Sequence, residues 1–242
     1  MIKVGDRMAK LDIQRGARQG DTLSPLLFIL TLQHVLNNTH FSNRGIEVNG
    51  KLLSYMAYAD DIALLARTSE ELQTMGADLM TESQKVGLNI IFDKTKWMRV
   101  RNNRRHSEDD SEEQVELNGN RIQGVNEYVY LGQLITTPRN QLKEIRRRMQ
   151  AGRAIYFKHR KFLCSSSVAI SLKRKLINTC ILPAVIHGCE TWAWTKEMAT
   201  ILQSAQRRLE RAIFGIRLAA RIKSQAIRRR SGLKDRVTSA LR

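Results

Sequence analysis

Tyr55-Met56-Ala57-Tyr58-Ala59-Asp60-Asp61-Ile62-Ala63-Leu64-Leu65-Ala66 decides how the rest of this chain is read. Two adjacent carboxylates separate two short apolar runs. Such runs around a polar pair predict a β-hairpin with the acids at its tip. Successive side chains on a strand face opposite ways, so only a turn lets both acids approach one point. Hard carboxylate oxygens held there suit Mg2+ or Mn2+, which take one or two carboxylates together with substrate phosphates. Phosphoryl transfer assisted by two such ions is the chemistry this arrangement serves. The plain alternative is a solvated acidic turn, a common element.

The chain has 242 residues, 42% hydrophobic and 26% charged, enough for one large domain or two small ones with real cores. No apolar run approaches the roughly 18 residues of a membrane span, so no membrane partner is expected. The first residues carry Lys3, Asp6, Arg7 and Lys10 and do not read as a secretory signal. Cys164, Cys180 and Cys189 make no disulfide framework, so an intracellular setting is expected, nucleus and cytoplasm both open. Cys180, His187 and Cys189 lie close together, but no fourth ligand follows at zinc spacing. The net charge of +18 is lopsided. Before Arg139 there are 16 Lys and Arg against 18 Asp and Glu, a balance of −2; from Arg139 on there are 25 against 5, a balance of +20. Such asymmetry points to a polyanion, above all nucleic acid.

Around the hairpin the pattern predicts an α+β fold. Lys10-Leu11-Asp12-Ile13 is read as the end of a strand. Ser24-Pro25 is read as N-cap and first helical residue of an apolar core helix carrying Leu26, Leu27, Ile29, Leu30, Leu32 and Leu36. Asn49-Gly50 and Asn118-Gly119 each predict a two-residue hairpin turn. Thr68-Ser69-Glu70-Glu71 is a capping box that opens a helix to about Lys85, stopped by Gly87. Leu88–Ile91 and Trp97–Val100 are read as strands. Residues 101–114 are charged, lack an apolar period and read as a mobile loop. After Pro138 the period turns helical: Leu142, Ile145, Met149 and Gly152 fall on one face, with further helices at about 167–187 and 196–214.

Three more segments complete an ordered set with the acidic hairpin. Upstream lies Arg15-Gly16-Ala17-Arg18-Gln19-Gly20-Asp21-Thr22-Leu23-Ser24-Pro25. Downstream come Gly87-Leu88-Asn89-Ile90 with Lys94-Thr95-Lys96, then Tyr128-Val129-Tyr130-Leu131-Gly132. In this order and spacing they resemble the palm of reverse transcriptases of non-LTR retrotransposons. The likeness covers about residues 8–135 firmly. It continues more loosely through His187-Gly188-Cys189-Glu190-Thr191-Trp192, which resembles the family's thumb region. The resemblance implies a partial polymerase palm, an antiparallel sheet backed by helices, over residues 1–135. A basic helical thumb-like region follows over 136–242. The family's further metal-binding aspartate stands on a strand well before the Gln-Gly segment. Asp6 and Asp12 do not match its context, so an incomplete palm without fingers is expected.

The resemblance implies RNA-templated DNA synthesis, with an RNA template, a DNA primer, deoxynucleoside triphosphates and two Mg2+ (or Mn2+) ions in a complete site. Asp60 and Asp61 are then the metal ligands. Gln19 and Gly20 form the turn beneath the incoming nucleotide, with Tyr58 near the primer end. Lys94 assists departure of pyrophosphate, with Lys96 as a fallback. Tyr130, Leu131 and Gly132 form the primer grip. Independently of the family, Arg146, Arg147 and Arg148 on one helix and Arg207, Arg208 and Arg211 on another are candidates for nucleic-acid backbone contacts, and Arg228, Arg229 and Arg230 for added affinity. Trp192 and Trp194 are read as packing in preference to base stacking. Two other readings stay open: a catalytically inactive retroelement remnant that binds nucleic acid through its basic helices, and a decayed element with no selected role.

Overall fold

The computed structural model describes residues 2–4, 7–9, 20–100 and 114–235. The chain is α+β and divides into two units. One is built from residues up to Trp97 together with the hairpin that ends at Gly124; the other holds the chain from Val125 on, together with the residues that directly follow Trp97. The expected strand at 10–13 and nearly all of the expected loop at 101–114 lie outside the described residues, as do Asp6, Asp12 and Gln19.

The first unit is a set of hairpins on two helices. Strands β1 (Ile2–Val4) and β2 (Arg7–Ala9) pair antiparallel. Helix α1 (Ser24–Asn38) follows, then the hairpins β3–β4 (Ile46–Val48, Lys51–Leu53) and β5–β6 (Tyr55–Tyr58, Asp61–Leu64). Asn49 and Gly50 both have positive φ, as the Asn-Gly turn predicts. Helix α2 (Ser69–Lys85) starts where expected, with the Thr68 hydroxyl accepting from Glu71 N at 3.2 Å. Strand β7 (Lys96–Trp97) then pairs in parallel with β9 (Asn120–Gly124), and β8 (Val115–Leu117) pairs with the other edge of β9. The core joins Leu32, Val35 and Leu36 of α1 to Met75 and Leu79 of α2, with Phe41 between them. Gly76 lets α2 approach β8, since a Cβ there would stand 2.4 Å from Leu117.

Four local expectations need correction. Ser24 is not the N-cap of α1; Leu23 holds that place, and the Asp21 carboxylate accepts from Leu23 N at 3.0 Å just outside the helix. Leu88–Ile91 forms no strand, and β7 is shorter than the run Trp97–Val100. Apolar composition at 88–91 satisfies a strand propensity, but among the described residues no neighbour pairs with that backbone. Nor is α1 buried all round: Leu26, Leu27, Ile29 and Leu30 are each more than half exposed.

The second unit opens with hairpin β10–β11 (Glu127–Tyr130, Gln133–Thr136), whose Leu134 packs beside helix α3 (Gln141–Lys158). Helix α4 (Arg160–Cys164) follows. The expected helix at 167–187 is three pieces: α5 (Ile170–Leu176), a π-helical turn over Ile177–Ile181, and α6 (Leu182–Ile186). Pro183 has no N–H to give the carbonyl four residues back, and the helix widens just ahead of it. Helix α7 (Lys196–Ile213) is capped by Thr195 and buries Met198, Leu202, Leu209 and Ile213 along one stripe. Helix α8 (Ser224–Ser231) completes the unit. Ile145, Leu163, Ile181, Val185 and Trp192 join the α7 stripe in one core, with α6 seated against Gly152 of α3. Trp192 is 5% exposed and meets Trp194 at 5.5 Å, so this pair packs the core as expected. Among the described residues, no helix is long and apolar enough to cross a membrane.

Candidate active site

The tip of β5–β6 gathers Tyr58, Asp60 and Asp61. Tyr58 pairs with Asp61 across the ladder, leaving a two-residue loop of Ala59 and Asp60. Ala59 takes φ 51°, a left-handed conformation that strains a residue with a Cβ. Both acids are exposed, and neither carboxylate has a hydrogen-bond or ion-pair partner among the described residues. Tyr58 is 67% exposed beside them.

What steadies the hairpin lies at its base. Leu65 N donates to Ser54 O at 2.8 Å, closing the ladder below Tyr55–Leu64. The Ser54 hydroxyl donates to Arg44 O at 2.6 Å, tying the hairpin to the start of β3. Glu71, in the first turn of α2, accepts from Arg67 N at 2.8 Å and from Gly45 N at 2.7 Å. Arg67 Nε returns a bond to Gly45 O at 3.0 Å. The backbone bond from Arg67 is the main influence that holds the Glu71 carboxyl below its ordinary value. Gly45 permits this knot, because a Cβ there would stand 2.4 Å from Leu53 O.

Gly20, at φ +91°, has nothing within 4 Å of where a Cβ would be. Among the described residues it is an open turn with room above its backbone, four residues before Ser24 starts α1. Lys94 is exposed, with no side-chain partner among the described residues, whereas the Lys96 ammonium donates to Gln123 Oε1 at 2.6 Å.

Tyr130-Leu131-Gly132 belongs to the second unit, where it forms the β10–β11 turn. Leu131 (φ 48°) and Gly132 (φ 77°) repeat the backbone of the two Asn-Gly turns, with leucine where those have asparagine. A leucine there is strained by roughly 1 kcal/mol. The turn is held from α3. Arg147 and Arg148 each donate a terminal N–H to Gly132 O. Glu144, 1% exposed, accepts from Arg147 Nε at 2.7 Å, Arg148 Nε at 2.6 Å and Leu134 N at 3.1 Å. Burial pushes the Glu144 carboxyl up, and the bonds from Arg147, Arg148 and Leu134 outweigh that and bring it below its ordinary value. A Cβ on Gly132 would also stand 2.9 Å from His187 Nε2.

The arginines expected to face phosphate divide into two groups. Arg146, Arg207 and Arg208 are exposed. Arg147 and Arg148 hold the Gly132 turn, and Arg211 donates to Ile222 O at 2.7 Å. Arg228 pairs with Glu210 and Asp235, and Arg230 lies over the Phe214 ring at 5.0 Å, leaving Arg229 exposed. Sequence reasoning missed the role of Glu144. Its signal was there: an acid three and four residues before two arginines on one helix.

A family model for reverse transcriptase (RNA-dependent DNA polymerase) matches residues 2–135. The chain is 31% identical to a transposon-derived protein of Caenorhabditis elegans over 173 residues, 72% of this chain and 61% of that protein. It is 38% identical over 77 residues to the Pol polyprotein of the type-1 retrotransposable element R2 of Nasonia vitripennis, covering 32% of this chain and 7% of the relative. The corresponding polyprotein of the type-2 element R2DM of Drosophila melanogaster is 38% identical over 80 residues, 33% of this chain and 8% of the relative. The chain thus spans less than two thirds of each of these relatives.

Proposed function

We propose, for a chain that belongs to the reverse transcriptase family of non-LTR retrotransposons, that the β5–β6 tip is the metal-binding half of a nucleotidyl-transfer site. The observation that carries this reading is the pair of exposed carboxylates, unpartnered among the described residues, on a hairpin whose base is tied down at Ser54 and Glu71. Hard, free oxygen donors fit Mg2+ or Mn2+. When bound, such ions activate the primer hydroxyl and stabilise the leaving pyrophosphate. Asp60 and Asp61 hold them. Gln19 and Gly20 seat the nucleotide, Gly20 by offering open backbone. Tyr58 stands by the primer end. Lys94 lends charge, or a proton, to the departing pyrophosphate. Tyr130, Leu131 and Gly132 support the primer terminus, and Glu144, Arg147 and Arg148 keep that turn in its strained shape. The template is RNA and the product DNA.

The basic second unit holds nucleic acid by charge. Its solvent-facing cations, Arg207 and Arg229 among them, engage phosphates with little sequence preference. The alternative of an inactive remnant keeps this property and loses the chemistry.

The direct test is Mn2+ titration of the isotope-labelled chain. Paramagnetic broadening should begin at Tyr58–Ile62 and vanish from that tip in Asp60→Asn/Asp61→Asn. Broadening that starts elsewhere, or that survives the double substitution at the tip, removes the metal site from this hairpin.

A further inference from the structure

An open groove of about 760 Å³ runs between α3 and α7 in the second unit. Its floor is aliphatic: Met149 of α3, Ile181 and Val185 from the π turn and α6, Ile201 and Leu209 of α7. On the α7 side the wall is low, formed by Ser204 and Ala205. Arg146, Arg153 and Arg208 also line it, and no acidic residue does. All three are exposed and have no hydrogen-bond or ion-pair partner among the described residues. Elsewhere in this unit Arg147, Arg148, Arg174, Arg211 and Arg228 are tied to carbonyls or carboxylates.

An apolar floor with a cationic rim selects a ligand that is apolar along one side and anionic along its edges. Nucleic acid answers the rim but not the floor. Successive bases stack on successive open rings, and this floor is aliphatic side chains. The two rings in the lining, Tyr156 and Phe157, meet edge-on at 5.4 Å, and Phe157 is exposed, one open ring at the edge of the groove where a run of bases needs several. A helix answers both. Its leucine-like side chains interdigitate with an aliphatic floor between two helices, and the low wall at Ser204 and Ala205 lets its backbone come close. Arg146 and Arg153 stand seven residues apart on α3, two turns or about 10.5 Å. Carboxylates seven apart on a helix lying along α3 match that interval.

We infer that the α3–α7 groove is the docking site of an amphipathic helix whose apolar stripe is flanked by acidic residues spaced seven apart. Arg146 and Arg208, which phosphate would also attract, are here given to carboxylates. The nucleic-acid role of the second unit stays with its other exposed cations.

The test uses the full chain and a fluorescein-labelled 18-residue helical peptide with Leu at i, i+4, i+7 and i+11 and Glu flanking that stripe at i, i+7 spacing. Saturable binding by anisotropy is expected. Arg146→Glu/Arg153→Glu should weaken it roughly tenfold, and the same peptide with Lys for Glu should then bind the double variant better than the wild type. Ser204→Trp, which fills the groove from an incompletely buried surface position, should abolish binding with the circular dichroism unchanged. No binding of the Glu peptide, or binding indifferent to the double variant, overturns the proposal. A single-stranded RNA 12-mer is titrated in parallel. RNA affinity that falls in the double variant while peptide affinity holds also overturns it, and gives the groove to nucleic acid. Peptide affinity that falls while RNA affinity holds supports it. Absence of RNA binding in the wild type would count against the nucleic-acid reading alone.

Discussion

Replacing Glu144 by Gln keeps the shape of the side chain and removes its charge. Glu144 is buried at 1% exposure and accepts from two guanidiniums and one backbone N–H. Arg148 is 8% exposed, so it would lose its counter-charge without gaining water. Breaking a buried ion pair by removing one partner costs about 3–5 kcal/mol. Arg147 is a third exposed and is partly rescued by solvent, which places the expected loss near the low end, about 3 kcal/mol. The same contact sets a pH dependence. Folding lowers the Glu144 carboxyl below its ordinary value. Its contribution is therefore complete above the unfolded value of about 4.3 and is lost as pH falls through the lower folded value. Urea unfolding followed by Trp192 and Trp194 fluorescence should show wild type far more stable at pH 7, with the gap to Glu144→Gln narrowing below about pH 4. A variant within about 0.5 kcal/mol of wild type at pH 7 would refute the argument that this carboxylate holds the helix to the turn.

Leu131→Asn should raise stability by about 1 kcal/mol in the same assay, because asparagine accepts the left-handed backbone that leucine resists; a loss of stability would show that Leu131 packs more than it strains. In primer extension on a primed RNA template with Mg2+ or Mn2+, any product the chain makes should be lost in Asp60→Asn and in Asp61→Asn; product that survives both substitutions would remove the β5–β6 tip from the site. RNA affinity should fall linearly on a log–log plot against salt, with a slope of roughly −0.7 to −0.9 per phosphate engaged, and Arg207→Gln/Arg229→Gln should flatten it by up to about 2. Arg147→Gln/Arg148→Gln should instead leave the slope alone and lower the urea midpoint; a flattened slope at unchanged stability would return those residues to the phosphate-contacting set.

The hairpins were legible because their turns are chemistry of one or two residues. Asn49-Gly50 and Asn118-Gly119 demand a backbone that few other pairs adopt, and Thr68 with Glu71 marks a helix start by hydrogen bonds that are local in sequence. The Leu131-Gly132 turn has the same backbone and half the signal, since leucine disguises it. Periodicity identified α1 but not its environment. An apolar period states which side chains share a face; what lies against that face is a long-range fact. The run Arg146-Arg147-Arg148 reads as three equivalent charges, yet one step along a helix turns a side chain by about 100°. Arg146 faces outward, whereas Arg148 turns inward to Glu144. At the site itself the acids were plain in sequence. The bonds of Ser54 and Glu71 that hold their hairpin were not, because those bonds reach Arg44 and Gly45, residues with no motif of their own.

Leu23, Leu26, Leu27 and Leu30 line one side of α1, each more than half open to water. A cell reads such a strip before any assay does. Exposed apolar strips of this kind draw chaperones and quality-control proteases, and at high concentration they drive copies of a chain to cover one another. The polypeptide made alone should therefore be short-lived in vivo and prone to self-association in the tube. Replacing those leucines by glutamate or lysine is the first step in handling it, since that side of the helix contributes nothing to the Leu32–Val35–Leu36 core.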